Sequence, residues 1–209
     1  MVQVELFMPG SYKRQDHLYR RAKAEGYRSR AAYKLLEIDK KYGILKHGYK
    51  ILDLGSWPGG WLQVAAEKVG SSGVVVGIDL VPVDKLPADN VFLIVGAAGD
   101  EDTLREARQA AGGQFDVVLS DMSPKLSGIP EVDSTAAVAC AEAALWAAKQ
   151  TLKAQGNLVI KVFKSAETET FVKNTRPLFN KLIRSKLSST RKTSNEFYLI
   201  CLGFVRARG

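Results

Sequence analysis

Lys161 lies inside the apolar run Leu158-Val159-Ile160-Lys161-Val162-Phe163, a pattern that reads as a strand near the middle of a sheet. An ammonium held there without a partner would be costly, so it needs a counter-charge or a purpose. Asp121 is the natural partner. It follows the apolar run Phe115 to Ser120, and neighbouring parallel strands bring their carboxyl ends to one crevice. A structural salt bridge is the plainer explanation of the pair. Buried ion pairs stabilise poorly, however, and perturbed groups collect in clefts, which favours a chemical role. A lysine in such a cleft can accept the proton of a weak hydroxyl nucleophile, or orient that oxygen toward an electrophile. Acting as a base requires the neutral amine. Asp121 opposes that state, so a second lysine nearby would help.

A second constellation is Ile51-Leu52-Asp53-Leu54-Gly55-Ser56-Trp57-Pro58-Gly59-Gly60-Trp61, an apolar run that passes into a glycine-rich turn. Such a loop lies beyond the carboxyl end of a first strand, where glycines let the backbone approach a nucleotide-type ligand. Two phosphate-binding patterns are not met. The dinucleotide fingerprint needs glycine where Trp57 stands, and a P-loop needs Gly-Lys-Ser/Thr where Gly60-Trp61-Leu62 stands. A nucleotide-cofactor oxidoreductase is disfavoured on that ground. Asp79 ends the next apolar run, Val74 to Ile78, where a carboxylate can accept hydrogen bonds from both hydroxyls of a ribose. The site therefore suits an adenosine without phosphates. S-adenosylmethionine (SAM) meets that description, with Asp53 adding negative charge near its cationic end. The alternative is a tight strand-to-helix turn whose glycines only solve a packing problem.

With 209 residues, 46% of them hydrophobic, the chain can bury one full α/β core and is too short for two comfortable ones. We expect a single domain over 1–209, with a basic helical extension at about 1–45. No apolar stretch reaches the length of a membrane span, and the N-terminus lacks the apolar segment of a signal peptide, so a soluble, cytoplasmic protein is expected. Cys140, Cys201, His17 and His47 make neither a zinc pattern nor a disulfide framework, and no metal is expected.

The net charge of +8 is unevenly spread. Residues 1–50 hold twelve Lys/Arg against five Asp/Glu, residues 51–172 nine against sixteen, and residues 173–209 nine against one. Two basic ends flanking an acidic middle suggest a positive surface for a polyanion, with nucleic acid the leading candidate. A merely solvated surface is an equal alternative. Tyr12, Tyr19, Tyr27 and Tyr33 interleave with the basic residues and offer stacking surfaces for unpaired bases, although tyrosines also pack helices. The charge argues weakly for a monomer.

The elements that must position these residues follow from periodicity. Helices are expected at 11–26 and 29–42, the second with Ser29 as N-cap, then strands at 50–54, 73–79, 91–95, 115–120 and 156–163. Helices near 60–69, 101–111 and 134–153 alternate with them, which implies a mostly parallel sheet covered on both faces. A further helix at 168–184, a basic segment from Lys186 to Ser194 and a closing strand at 196–204 complete the chain. The segment Ser123 to Pro130 reads as a loop after a strand end, where α/β enzymes put working residues.

Taken together, Gly26-Tyr27-Arg28-Ser29-Arg30-Ala31-Ala32-Tyr33-Lys34-Leu35, Asp53 to Trp61, Asp79-Leu80, Ser120 to Pro124, Lys161-Val162-Phe163 and Ser194 to Tyr198 resemble the FtsJ/RrmJ family of ribosomal RNA ribose 2′-O-methyltransferases. The similarity covers nearly the whole chain from about Asp16. The resemblance implies a Rossmann-like, SAM-dependent methyltransferase fold: an α/β sheet of seven mostly parallel strands with helices on both faces and an antiparallel last strand. It implies a catalytic Lys-Asp-Lys-Glu set at Lys34, Asp121, Lys161 and Glu196. Lys161 would be base or orienting group, Asp121 would hold it near the methyl donor, Lys34 would favour the deprotonated oxygen or contact RNA, and Glu196 would organise the lysines. The cofactor residues implied are Asp53, Gly55, Pro58, Gly59, Gly60, Trp61, Asp79, Leu80 and Asp121. RNA would be held by basic residues such as Arg28, Arg30, Arg191 and Lys192, and the expected acceptor is a uridine of large-subunit ribosomal RNA. Transfer RNA and messenger RNA cap enzymes share the architecture, and an RNA-binding protein without chemistry is a third reading. Two departures stand out. Ala97 replaces an aspartate that relatives direct at the adenine amino group, leaving Asp100 or a backbone carbonyl to substitute. Trp57 replaces a small residue, so a bulky ring borders the cofactor's methionine end or turns to the substrate face.

Overall fold

The computed structural model describes residues 17–125, 127–191 and 194–205. Helices α1 (His17–Ala24) and α2 (Ala32–Tyr42) lead into β1 (Lys50–Leu54), α3 (Gly60–Val69), β2 (Val74–Asp79), β3 (Val91–Val95), α4 (Glu101–Ala110) and β4 (Phe115–Ser120). Then come α5 (Pro130–Thr151), β5 (Leu152–Phe163), α6 (Ala166–Thr175), a single 3-10 turn (Arg176–Leu178), β6 (Phe179–Ser185) and β7 (Glu196–Phe204). The seven strands form one sheet in the order β3-β2-β1-β4-β5-β7-β6. The first five are parallel, and β7 runs antiparallel to both β5 and β6. Strand order reverses at β1, so the crevice between the ends of β1 and β4 is where a doubly wound sheet takes its ligand.

Alternation along the strands sorts the core into two faces. Leu52, Leu54, Val76, Val118 and Ile160 pack with α4, α5 and α6 through Leu104, Ala144 and Phe171. Ile51, Val75, Val117, Val159 and Tyr198 pack with α2 and α3 through Leu35, Ile38 and Leu62. Asp53 and Lys161, each two residues on from a member of the second set, therefore lie on the face that α2 covers. That is how a helix from the N-terminal end of the chain comes to serve a site at the strand ends.

Three expectations change. The helix expected over 168–184 stops at Thr175, because Pro177 has no N–H to continue it, and Phe179–Ser185 becomes an edge strand. Lys181 and Arg184 on that strand suit an edge that must not pair with other chains. Ser29 does not cap α2. The helix starts at Ala32 with Ala31 before it and no side-chain cap, while the Ser29 carbonyl accepts the Ala32 N–H in a tight turn. The long helix begins at Pro130, four residues before the expected start, with proline in its first turn where no hydrogen bond is lost. Of the helix expected at 11–26, His17–Ala24 is helical; residues 11–16 lie outside the described residues.

Candidate active site

Lys161 projects from β5 toward the loop after β4. Its Nζ donates to the backbone carbonyl of Asp121 at 2.6 Å and lies 3.2 Å from Asp121 Oδ1. Lys34, carried by α2, has its Nζ 2.5 Å from Glu196 Oε1 and 4.0 Å from Asp121 Oδ1. Antiparallel pairing sets Lys161 opposite Tyr198 and Phe163 opposite Glu196, so all four side chains share one sheet face. Tyr198 Oη donates to Asp121 Oδ1 at 2.6 Å, and its ring lies beneath Lys34, 5.6 Å from Nζ. Thr190 donates to Glu196 at 3.3 Å. The expected set of Lys34, Asp121, Lys161 and Glu196 is thus one connected network.

Asp121 is its centre. Burial raises the Asp121 carboxyl, but Lys161, then Lys34, and the Tyr198 hydroxyl more than offset that and hold it below the ordinary carboxylate range. Burial, with Asp121 and Glu196 close by, pushes the Tyr198 phenol well above its usual value, so Tyr198 stays a donor. Sequence reasoning placed Tyr198 in a motif and gave it no role. Its two-residue spacing from Glu196 on one strand was the signal that both face the same cluster.

Asp121 also lines a cleft of about 680 Å³ together with Gly55, Trp57, Asp79, Leu80 and the Gly96–Gly99 turn, closed by Met122 and Cys140. That is ample for a nucleoside-sized ligand. Asp79 already accepts the N–H of Trp57 at 2.8 Å and of Val81 at 2.9 Å, one on each oxygen, which orients its remaining lone pairs into the cleft's edge. Asp53 lies behind the cleft and both its oxygens are buried without a hydrogen-bond partner among the described residues. Burial first, then the nearby Asp121 and Asp79 carboxylates, push Asp53 well above the usual range. Three converging carboxylates, one unpartnered, fit a cationic organic ligand such as SAM. Among the described residues no cluster of His, Cys, Asp and Glu is arranged to hold a metal ion.

The other cofactor residues expected from the sequence divide. Gly55, Asp79, Leu80 and Asp121 line the cleft; Pro58, Gly59, Gly60 and Trp61 do not. A Cβ on Gly55, at φ +74°, would meet Met122 Cγ at 2.7 Å, and one on Gly59, at φ +109°, would meet the Arg28 guanidinium at 2.9 Å. Both glycines are therefore demanded by packing and backbone conformation as well as by any ligand. Trp61 is buried against Tyr198, with its indole N–H on the Ala31 carbonyl. Trp57 is 58% exposed at the cleft's rim. Asp100 caps α4 through one oxygen, which accepts the Thr103 N–H and hydroxyl, and it is not among the residues that line the cleft.

The basic residues expected on RNA also have local duties. Arg28 donates to the carbonyls of Asp84 and Lys85 at 2.6 and 2.8 Å and reaches that of Pro58, tying the loops around the cleft. Arg30 donates to the Ser189 carbonyl. Arg191 is half-buried and engaged, and Lys192 lies outside the described residues.

Comparison with known proteins gives the family and the fold. Residues 27–204 match the FtsJ-like methyltransferase family. The chain is 43% identical over 188 residues to the ribosomal RNA large subunit methyltransferase E of Methanothermobacter thermautotrophicus, covering 90% of this chain and 89% of that one. It is 40% identical over 190 residues to the enzyme of the same name from Pseudomonas fluorescens, with 90% of each covered. A crystal structure described as a ribosomal RNA methyltransferase of Plasmodium falciparum superposes with TM-score 0.77 at 28% identity, over 86% of this chain and all of that one.

Proposed function

Because the chain belongs to the FtsJ-like methyltransferase family, we propose that it is a SAM-dependent ribose 2′-O-methyltransferase acting on a uridine of large-subunit ribosomal RNA. The observation that carries this reading is the double duty of Asp121, which walls the cofactor cleft and holds Lys161. Bound SAM supplies an electrophilic methyl group, and its transfer leaves the bond's electron pair on sulfur. The residues of the chain do the rest. An amine has three hydrogen or lone-pair directions beyond its carbon, and on Lys161 two point at Asp121, the carbonyl and Oδ1. The third is left for the ribose hydroxyl. There Lys161 receives the hydroxyl proton as the oxygen closes on carbon, or holds that oxygen in line. Asp121 and Tyr198 keep Lys161 from swinging away, and Glu196 keeps Lys34 near the same Asp121 oxygen.

Large-subunit ribosomal RNA enters as acceptor through the names of the relatives. The test is transfer of labelled methyl from SAM to large ribosomal subunits and to transfer RNA, followed by nuclease digestion, with Lys161→Ala as control. A 2′-O-methyluridine from the subunit, absent with the variant, is the expected result. Label on a base overturns the mechanism, and label confined to transfer RNA moves the substrate.

A further inference from the structure

We propose that the cavity between the N-terminal ends of α5 and α6 receives the nucleobase of the nucleotide being methylated, turned out of its stack. The inference rests on the ribose methylation proposed above. The cavity is about 400 Å³ and is lined by Pro124, Ser134, Ala137, Phe163, Glu167 and Asn195, among others. It begins where the lysine network ends. Phe163 follows Lys161 on the same strand face, its ring centroid 6.0 Å from Nζ, and Pro124 belongs to both this cavity and the cofactor cleft.

The base of a nucleotide is bonded to the carbon next to the one bearing the 2′-hydroxyl. A hydroxyl held at Lys161 therefore puts its base within one sugar's width of that amine. Besides the cofactor cleft, the described residues form this cavity and a groove of about 640 Å³ lined by Lys164, Arg184, Lys186 and Glu196. Charge separates them. In the groove Arg184 is neutralised by two bonds to Glu169, and Lys164 and Lys186 add positive charge, which suits phosphates. The cavity carries Glu131, Asp133 and Glu167 against Lys164 alone, which repels a phosphate but leaves acceptors for a neutral base edge. Asp133 is occupied by Ser127 and Gly128. Glu167 accepts from the Ser134 hydroxyl and is also engaged by Ser165 and its own backbone N–H; its remaining lone pairs, with the Asn195 amide at the mouth, can meet the ring N–H and a carbonyl of a base edge. Phe163, Pro124 and Ala137 supply apolar walls for the base faces. Enzymes that work on a nucleotide commonly hold its extruded base between such walls and read its edge.

The test compares RNA carrying the mapped target nucleotide with the same RNA whose target ribose has no base but keeps its 2′-hydroxyl. Where free RNA is not accepted, the two are assembled into subunits. The wild type should lose at least about tenfold in kcat/KM without the base, in line with one stacked base. Ala137→Trp, which fills the cavity, should slow methylation of intact RNA to the baseless rate while SAM affinity stays within about twofold. Target 4-thiouridine irradiated in the complex should crosslink to the peptide bearing Phe163. Equal wild-type rates on the two RNAs, an unimpaired Ala137→Trp, or a crosslink at Lys186 each overturn the base pocket alone. No methylation of intact RNA by the wild type overturns the proposed function, and the pocket with it.

Discussion

Asp53 illustrates the conflict between stability and binding at a single residue. Its carboxyl is buried, without a partner among the described residues, and raised, so what it contributes to stability is present below the unfolded carboxyl value, near 3.9, and lost as pH rises from there through the folded one. We expect Asp53→Asn to stabilise the cofactor-free protein at neutral pH, because an amide need not take up a proton to be buried there, with the gain vanishing in acid where the carboxyl is protonated in both states. The same variant should bind SAM more weakly. Urea unfolding across pH, paired with calorimetric titration of SAM, measures both, and a destabilised variant would mean that Asp53 is partnered. Asp121 has the opposite sign. Held low by Lys161 and Lys34, it contributes stability above the unfolded carboxyl value that is lost as pH falls through the folded one. Asp121→Asn leaves Lys161 without its counter-charge, while Lys34 keeps Glu196, and should cost about 3 kcal/mol as well as turnover. Lys161→Ala should abolish methyl transfer while sparing SAM affinity, whereas Asp79→Ala should lose SAM affinity first. Parallel losses in both would show that binding and chemistry are not divided between these residues.

At the level of elements, the site depends on α2 staying registered against the β6–β7 connection. Glu37 accepts from the Ser188 N–H and hydroxyl and from the Ser189 N–H, and Tyr42 bonds Ser185, so α2 is stapled beside Glu196. Glu37→Ala should cost about 1–2 kcal/mol and reduce kcat with little change in SAM affinity, because Lys34 would drift from Glu196. A stability loss with unchanged kcat would show that Lys34 is placed by other contacts. Arg28 belongs to a different staple, around the cofactor loops. Arg28→Ala should weaken SAM affinity about tenfold and leave the salt dependence of RNA binding unchanged; the reverse pattern would return Arg28 to the RNA surface. Much of this frame was legible in the sequence, since β1, α3, β2, β3, α4 and β4 follow from apolar periodicity to within a residue or two. β6 was not, because Phe171 and Val172 begin a helical pattern that Pro177 cuts short while the following polar-rich edge strand has little alternation to announce it. Lys161 and Asp121 were readable from charge inside apolar runs. Lys34 and Glu196 were not, since on composition they pass for surface charges, and only the family resemblance and then the packing of α2 brought them in.

For the whole molecule, charge segregation and sheet topology act together. The acidic middle holds most of the parallel sheet and the cofactor cleft, while the basic ends supply α2, β6 and the groove beside Glu196. RNA affinity should therefore fall steeply between 50 and 200 mM salt, with a slope near −0.7 for each single-stranded phosphate contact. A flat response would remove the basic ends from the interface. Among the described residues no helix is long and apolar enough to cross a membrane. Asp121 has a further consequence at this scale, because it is a wall of one compartment and the anchor of the next. Two ligands that meet at one carboxylate cannot occupy their sites independently, and whatever factor the donor applies to acceptor affinity the acceptor must return. On the proposed function the donor would lose its sulfonium charge on transfer, so the coupling carried by Asp121 would differ before and after reaction, and the hold of the spent cofactor and of the modified strand on each other would change with it.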